Sequence, residues 1–323
     1  MANQPLITHM YTADPSAHAF EGKIYVYPSH DRETDIQFND NGDQYDMADY
    51  HVFSMDSITG PVTDHGVVLK MEDIPWVSKQ LWAPDAATKN GKYYLYFPAR
   101  DKEGIFRIGV AVSDAPHGPF KPEPTPIAGS FTIDPASFVD DDGEAYLYFG
   151  GLWGGQLQCW TSGTFDASKS GPQEPTGDVP ALLPRVGRLS EDMLSFADDV
   201  KELSIVDVEG KPIMADDHDR RFFEAAWMHK YNGKYYFSYS TGDTHYIVYA
   251  TGDSPLGPFT YQGRILEPVE GWTTHHSIVG FQDKWYLFYH DSSLSGGVSH
   301  LRSVKAREIV HDAEGKITLA ESS

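Results

Sequence analysis

The sequence has 323 residues with 47 acidic and 25 basic side chains, which gives a formal net charge of −22. This charge argues against nucleic acid or an anionic membrane as a partner, and no apolar run reaches the ~20 residues that a membrane-spanning helix needs. The single cysteine, Cys159, excludes an intrachain disulfide, and residues 1–11 lack the basic start and apolar run of a secretory signal, so we expect a cytoplasmic protein.

One hairpin pattern recurs five times along the chain, as a short strand, a tight turn and an aromatic-rich strand. In chain order the copies are EGKIYVYPSHD (21–31), NGKYYLYFPARD (90–101), DGEAYLYFGG (142–151), NGKYYFSYSTGD (232–243) and QDKWYLFYHDS (282–292). The Asn-Gly and Asp-Gly pairs are strong hairpin signals because they accept positive φ angles. The strands after them are apolar on both faces, which predicts sheets that are stacked between two other sheets.

A second element, SDAPHGPF (113–120), returns as GDSPLGPF (252–259) and indicates an outer strand that closes with a Pro/Gly turn. Each repeat can hold about four short strands, the content of one propeller blade. We therefore predict an all-β protein, one five-bladed β-propeller over residues 1–323 with no appended C-terminal β-sandwich. A two-sheet sandwich does not explain five copies of one hairpin. The surplus residues lie in 31–50 and 161–222, and we expect loops there with one short helix at 190–200.

The residue eight or nine positions before each turn starts the inner strand of its hairpin. These residues are Asp14, Ala83, Asp134, Glu224 and His275. Inner strands run side by side around a propeller axis, so these side chains should meet at one end of the central channel. Whether the distance to the turn is eight or nine residues matters, because a shift of one residue points a side chain to the other face of the strand. A longer turn or a bulge at residues 140–142 would compensate for the extra residue. The second strands return to the same end, which predicts a rim formed by His30, Asp31, Arg100, Asp101, Trp153, residues 241–243, His290 and Asp291.

The three carboxyl groups at this position suit acid–base chemistry on a glycosidic bond. Asp14 and Asp134, each followed by proline, would singly read as turn residues, but their joint placement with Glu224 favours a site. Glu224 lies in an apolar run beside Phe223 and Trp227, which would desolvate it and raise its pKa. We therefore predict Glu224 as the general acid, Asp14 as the base, and Asp134 as the group that raises the pKa of Glu224 and orients it.

Three further side chains are candidates for ligand binding. Trp82 and Trp153 suit stacking on the apolar faces of sugar rings, although packing within the blades accounts for them equally well. His275 alone reads as a core histidine. A metal ion in the channel that His275 and water molecules hold is an alternative, although calcium usually prefers oxygen ligands.

Five segments together resemble glycoside hydrolase family 43, which contains β-xylosidases, α-L-arabinofuranosidases and arabinanases. They are TADPSAHAFEGKIYVYPSHD, LWAPDAATKNGKYYLYF, TIDPASFVDDDGEAYLYFGG, FFEAAWMHKYNGKYYFSYS and THHSIVGFQDKWYLFYHD. The resemblance covers about residues 8–310. It implies a five-bladed propeller and an inverting mechanism, with Asp14 as base, Asp134 as pKa modulator and Glu224 as acid, in agreement with the roles inferred from the residues.

The resemblance also implies ligands that the residues alone do not establish. His275, with His276 as the alternative, matches a histidine that binds a central Ca²⁺ ion through a mostly water shell. Arg302 resembles an arginine that reaches the substrate near the acid, and Trp82 with Ala83 resembles the wall of the first sugar subsite.

The motifs look most like those of short, single-domain β-xylosidases, so we expect release of xylose from the non-reducing end of β-1,4-xylo-oligosaccharides. An α-L-arabinofuranosidase, or an enzyme with both activities, is the first alternative, because the two sugars present similar hydroxyl geometry. A non-catalytic sugar-binding propeller is a remoter one. A phosphorylase would need a basic phosphate pocket, for which Arg100 and Arg302 are weak evidence. The sequence leaves a homo-oligomer open.

Overall fold

The structure is a computed structural model that describes residues 4–320, and these residues form five sheets. The first sheet contains β1 (Tyr11–Phe20), β2 (Lys23–Asp31), β3 (Asp49–Met55) and β4 (Thr63–Lys70). The second contains β5 (Val77–Lys79), β6 (Asp85–Lys89), β7 (Lys92–Asp101), β8 (Phe106–Ser113) and β9 (Lys121–Pro122). The third contains β10 (Ala136–Val139), β11 (Ala145–Phe149), β12 (Arg185–Arg188) and β13 (Lys201–Glu202).

The last two sheets follow the same plan. The fourth contains β14 (Ile205–Val206), β15 (Glu224–Tyr231), β16 (Lys234–Ser240), β17 (Ile247–Gly252) and β18 (Phe259–Leu266). The fifth contains β19 (His276–Phe281), β20 (Lys284–Asp291), β21 (Ser303–His311) and β22 (Ile317–Leu319). Short 3-10 helices occupy Met71–Asp73, Trp153–Gly155, Leu157–Trp160, Ala167–Lys169 and Ser293–Ser295. Chain neighbours pair antiparallel within each sheet, except that β5 and β6 both pair with β7 and that β14 pairs parallel with β18.

The innermost strands of the sheets form a closed ring. Strand β1 contacts β6, β6 contacts β10, β10 contacts β15, β15 contacts β19, and β19 contacts β1. The N-terminal segment joins the last blade, where the Leu6 N–H donates to the Val304 carbonyl at 2.8 Å. This arrangement is a five-bladed β-propeller, which confirms the predicted fold class.

The hydrophobic core lies between the blades, as strands that are apolar on both faces require. In β7, Leu95 and Phe97 pack toward the first blade, whereas Tyr94 and Tyr96 pack toward the third. Successive side chains of a strand point to opposite faces, so one aromatic strand serves two interfaces. All four side chains are buried, and this burial fixes the positions of the inner strands around the axis.

The helix that we expected at residues 190–200 is wrong. Ser190 and Asp192 instead form a turn, in which the Asp192 carboxylate accepts from the Ser190 hydroxyl at 2.6 Å and from the Leu194 N–H at 3.1 Å. Such side-chain bonds to nearby groups compete with a helix. Met193 also has a φ of +66°, which a right-handed helix does not allow. No helix in residues 4–320 is both long enough and apolar enough to cross a bilayer.

Candidate active site

The three predicted carboxyl residues enter one end of the channel at irregular points of the inner strands. Asp14 and Asp134 have φ angles of +48° and +55°, and Ala225, directly after Glu224, has +62°. The pairing of β1 with β2 shifts register between Ala13 and Ser16, and the pairing of β15 with β16 shifts in the same way after Glu224. Bulges of this kind turn side chains out of the regular pleat. Here they turn Asp14 and Glu224 out of the regular pleat, whereas Asp134 lies in the segment just before β10.

The difference in offset between the repeats has two separate causes. In the third repeat a five-residue turn between Val139 and Ala145 replaces the two-residue turn, as we predicted. In the fourth repeat the turn between Tyr231 and Lys234 is short. There the register places Glu224 level with Ala13, one residue earlier than Asp14, so Glu224 reaches the cavity from a different strand position.

One cavity at this end of the channel encloses about 640 Å³, counted with its open mouth. All three carboxyl residues line it, and so do Trp82, Ala83, Trp153, His275 and Arg302. Its other lining residues are Phe38, Asn39, Asp40, Gly42, Gln44, Tyr45, Met47, Ile133, Leu152, Gly154, Gly155, Phe223, Trp272 and Thr273. The structure therefore brings together the predicted acid, base, modulator and most of the predicted binding residues.

The prediction that His30 and Asp31 contact substrate is wrong, because neither residue lines the cavity. Asp31 lies behind Arg302 and is fully buried as a side chain. His30 is its neighbour in β2 and therefore points to the other side of the strand, where Nδ1 lies 2.6 Å from Asp49 Oδ1. Arg100 of the predicted rim is also outside the cavity, and its Nε donates to Gln80 at 2.6 Å.

Asp14 lies in the most polar part of the site. Arg302 Nη1 donates to Asp14 Oδ1 at 2.9 Å, and the Ser29 hydroxyl donates to Oδ2 at 2.7 Å. Burial alone would raise the pKa of Asp14, but the charge of Arg302 leads the opposing effects, with smaller ones from His290, His275 and the Ser29 hydrogen bond. The net result is a pKa of about 2. Asp14 is therefore ionised at neutral pH.

Arg302 is held rigidly between two aspartates. Its Nε and Nη2 donate to the two carboxylate oxygens of Asp31, both at 2.8 Å, and its backbone N–H donates to the same carboxylate at 2.9 Å. The guanidinium also lies over the ring of Tyr45, 4.9 Å from its centroid. The bidentate pair leaves only Nη1 to reach Asp14, so the cation is aimed at that carboxylate.

Glu224 has the opposite environment. Burial, followed by the negative charge of Asp14, raises its pKa to about 8, and the positive charge of Arg302 offsets this only in part. The pKa of Asp134 is also raised, by burial first and then by the charges of Glu224 and Asp14. Asp134 Oδ2 accepts the Ala225 N–H at 2.8 Å, and this bond fixes the peptide that follows Glu224. The site thus combines a carboxylate with a protonated carboxylic acid at neutral pH.

Aromatic side chains form two walls of the cavity. On one side Trp153, Trp272 and Phe223 pack together, with ring centroids 5.3 to 5.9 Å apart. On the other side Trp82 is 9% exposed and its indole N–H donates to the Tyr45 carbonyl at 2.8 Å. Trp82 therefore packs inside the protein and also lines the cavity, and its stacking on a sugar ring stays a prediction.

Residues 31–50, which we predicted only as a loop, supply much of the second wall. Gly42 has a φ of +74°, and a Cβ atom there would lie 2.6 Å from the Trp82 ring, so only glycine allows this close approach. Nothing in the sequence pattern pointed to Tyr45 or Phe38. Trp272 was also missed, although its position three residues before His275 was an available signal.

His290, which we predicted at the rim of the pocket, instead lies behind Asp14 and does not line the cavity. Its Nδ1 accepts the Asp14 backbone N–H at 3.0 Å, so the proton is on Nε2, which lies 2.9 Å from the Thr273 carbonyl. Burial, with the charge of Arg302, lowers its pKa to about 3. His290 is neutral and supports the strained backbone of Asp14.

His275 is buried beside the carboxyl groups and neither of its ring nitrogens has a hydrogen-bond partner within the protein. Its Nε2 lies 3.7 Å from Asp134 Oδ2. Burial lowers its pKa, so the imidazole is neutral and retains a lone pair. A buried polar group without a partner is costly, and this side chain therefore calls for a water molecule or an ion in the channel.

Comparison with known proteins agrees with this geometry. The family model for glycosyl hydrolases family 43 matches residues 6–167 and 185–317. The chain belongs to this family. A Xylosidase/arabinosidase 43A of Humicola insolens is 76% identical and covers 97% of this chain and 98% of its own, and a Xylosidase/arabinosidase of Bacteroides ovatus is 58% identical over 98% and 97%. This family 43 protein is thus a glycoside hydrolase.

Solved structures of the family have the same fold. One is a β-xylosidase/α-arabinofuranosidase from a compost microbial metagenome, in a calcium-free complex with xylotriose. It is 67% identical, with a TM-score of 0.97 over 98% of this chain and 96% of its own. A family 43 enzyme of Xanthomonas citri with xylotriose is 57% identical, with a TM-score of 0.92 over 98% and 92%. The family 43 assignment and the five-bladed fold that the sequence predicted are both confirmed.

Proposed function

We propose that this hydrolase removes xylose from the non-reducing ends of β-1,4-xylo-oligosaccharides with inversion at the anomeric carbon. The observation that carries the proposal is one cavity that holds an ionised Asp14 and a protonated Glu224. Supporting it, the similar enzymes of Humicola insolens and Bacteroides ovatus are named for both xylosidase and arabinosidase activity, and two similar structures contain xylotriose.

The two carboxyl groups divide the reaction between them. Asp14 accepts a proton from a water molecule, whose oxygen attacks the anomeric carbon, while the bond from that carbon to the leaving oxygen breaks. Glu224 donates its proton to that leaving oxygen. Inversion requires the carboxyl groups to lie on opposite faces of the sugar with room for the water between them. After product release Glu224 regains a proton and Asp14 loses one.

Two other charged residues keep Asp14 and Glu224 in the roles of base and acid. Arg302 holds Asp14 ionised and in place by a 2.9 Å hydrogen bond. Asp134 fixes the backbone next to Glu224, so it acts as a positioning residue. The starts of the five inner strands carry Asp14, Ala83, Asp134, Glu224 and His275, with Glu224 one residue earlier in its strand than Asp14. Such different residues suit a single asymmetric active site rather than repeated sugar-binding sites.

We also propose that the channel holds a Ca²⁺ ion. The fit rests on His275, whose neutral imidazole has two nitrogens without partners and would be one ligand. Because calcium prefers oxygen ligands, water molecules would complete the shell. When bound, the ion supplies positive charge that favours the ionised forms of the neighbouring carboxyl groups. All proton transfers remain with Asp14 and Glu224.

A second activity on α-L-arabinofuranosides is favoured by the names of the similar enzymes, which pair xylosidase with arabinosidase. Hydrolysis of p-nitrophenyl β-D-xylopyranoside and p-nitrophenyl α-L-arabinofuranoside by one preparation measures the preference. Loss of both activities in Asp14→Asn would show that they share this cavity.

Proton NMR of early xylobiose hydrolysis tests the main proposal. We expect the α-anomer of xylose to appear first and the β-anomer only later by mutarotation. Initial release of the β-anomer would rule out inversion, and an intact xylobiose signal with folded enzyme would rule out the proposed substrate. Asp219→Asn, which changes an exposed carboxylate that pairs with Arg264, is a matched control that should keep full activity.

A further inference from the structure

A second group of metal-ligating side chains lies on the first blade, outside the active-site cavity. We name it the blade-one cluster and define it as His30 of β2 with Asp49 and His51 of β3. One ligand atom from each of the three lies within 4.8 Å of the other two. His30 Nδ1 is 2.6 Å from Asp49 Oδ1, and the two imidazole rings are 5.1 Å apart at an angle of 71°. Within residues 4–320 this is the one group of three such side chains with ligand atoms this close.

The blade-one cluster has a supporting carboxylate of the kind that metal sites use. His51 Nδ1 lies 3.3 Å from Asp64 Oδ1, and the other oxygen of Asp64 is 2.8 Å from His9 Nε2. A proton on Nδ1 of His51, directed at Asp64, would leave the lone pair of this imidazole on Nε2 for a metal ion. A carboxylate that orients a histidine from behind is the usual partner of a metal-ligating imidazole.

The blade-one cluster is open to solvent. The three side chains are 12% to 24% exposed, so a metal ion can reach them from solvent and a water molecule can complete the coordination.

We propose that His30, Asp49 and His51 bind one divalent transition-metal ion of the Zn²⁺ class. Two imidazole nitrogens and one carboxylate oxygen, with an open fourth position for water, form a ligand set that zinc accepts and that calcium, which seeks six to eight oxygens, does not. The ligand atoms of a tetrahedral zinc site are about 3.4 Å apart, so the His30–Asp49 pair opens slightly when the metal replaces the proton between them.

The position of the site gives it a structural consequence. Strand β2 carries Ser29 and Asp31 on either side of His30. Ser29 donates to Asp14, and Asp31 holds Arg302. A metal ion that joins β2 to β3 at His30 therefore braces the strand that supports the base, and it stabilises the folded protein because the unfolded chain lacks the site.

Isothermal titration calorimetry with ZnCl₂ tests the proposal on enzyme stripped of metal and then supplied with excess CaCl₂. We expect one saturable equivalent of Zn²⁺ and a higher Tm on binding. His51→Gln should weaken the binding at least tenfold, and Asp64→Asn should weaken it less. His117→Gln removes an exposed histidine outside the cluster and should bind as the unchanged protein does.

Cobalt spectroscopy and activity measurements distinguish binding at the blade-one cluster from binding elsewhere on the protein. Bound Co²⁺ should give the visible absorption of a tetrahedral site in the unchanged protein but not in His51→Gln. His51→Gln should retain glycosidase activity, which shows that it folds. No saturable Zn²⁺ binding, or equal binding by His51→Gln, would overturn the proposal. Loss of binding in His117→Gln with retention in His51→Gln would place the metal elsewhere and overturn it as well.

Discussion

The two sides of the cavity shift the pKa of a carboxyl group in opposite directions. The side formed by the first and last blades surrounds Asp14 with Arg302, Ser29 and the neutral His290. The side formed by the third and fourth blades places Glu224 near Phe223 and Ile133 in the cavity wall. Both carboxyl groups are largely removed from water, yet the pKa of Asp14 is about 2 and that of Glu224 is about 8.

This difference shows that burial alone does not decide a pKa. Desolvation raises the pKa of both groups. A cation within hydrogen-bond distance reverses the effect for Asp14, whereas the negative charge of Asp14 adds to it for Glu224. Each group therefore depends on the other side of the cavity, and variants that alter one side should change the behaviour of both.

Removal of either carboxyl group should have the largest effect. Asp14→Asn and Glu224→Gln should each lower kcat/KM on xylobiose by about 10²- to 10⁴-fold. On an aryl xyloside with a good leaving group, Glu224→Gln should recover much of this loss because that oxygen needs no proton. Asp14→Asn should not recover, because the water still lacks a base.

Comparison of xylobiose with the aryl xyloside tests both the acid role of Glu224 and the base role of Asp14. Equal losses for Glu224→Gln on the two substrates would contradict its role as the acid. Recovery of Asp14→Asn on the activated substrate would contradict its role as the base. Far-UV circular dichroism of both variants, with Asp219→Asn as reference, checks that the fold is intact.

The same two variants should change stability in opposite directions. Glu224 has a raised folded pKa, so its contribution to stability is present below about pH 4.5 and is lost as pH rises toward about 8. At pH 7 this loss is on the order of 3 kcal/mol, and Glu224→Gln should recover a large part of it. Urea unfolding at pH 7 and at pH 4.5 should show a gain at the higher pH only.

Asp14 should behave in the reverse sense. The pKa of Asp14 is lower in the folded protein than in the unfolded chain. Its ionised carboxylate therefore contributes stability above pH 3.8, and this contribution is lost as pH falls toward about 2. Asp14→Asn should therefore lower the free energy of unfolding at pH 7 by roughly 2 kcal/mol. A gain in stability from Asp14→Asn, or none from Glu224→Gln at pH 7, would contradict the opposite environments of the two carboxyl groups.

The repeat made the fold and the meeting of the carboxyl groups predictable from the sequence. Five hairpins with strands apolar on both faces fixed the number of blades, and the shared position before each turn located Asp14, Asp134 and Glu224. The direction of their side chains was less accessible, since it depends on bulges that sequence spacing does not reveal. Spacing placed Glu224 nine residues before its turn glycine, but only the register showed that Glu224 is level with Ala13 and not with Asp14.

The parts of the site that do not follow from the repeated hairpin could not be predicted from the sequence. His30 and Asp31 were both assigned to the rim, although adjacent residues of β2 point to opposite sides and only Asp31 touches the site, through Arg302. Tyr45 and Phe38 lie in a loop whose path depends on close contacts such as that between Gly42 and Trp82. Such contacts join segments that are distant in sequence and follow no period.

Arg302 connects the two sides, so its replacement should move both limbs of the pH profile. Its positive charge lowers the pKa of Asp14 and of Glu224. Arg302→Met should therefore shift both limbs of kcat/KM to higher pH, by about one unit or more. Arg302→Lys retains the charge and should shift them less. Limbs that stay in place in Arg302→Met would show that another group sets the two pKa values.

Removal of the proposed Ca²⁺ ion should act in the same direction as the loss of Arg302, but more weakly. An ion screened by its water shell interacts with a nearby carboxylate by about 1 kcal/mol, which corresponds to roughly fivefold in rate. EDTA treatment should therefore lower activity modestly and shift both limbs of the kcat/KM profile to higher pH. Added CaCl₂ should restore the activity and the original pH profile. His275→Gln should show the lower activity from the start and no further response to EDTA. Because the unpartnered nitrogens of His275 are the structural basis for the ion, an EDTA response that persists in His275→Gln would place the metal at a different site.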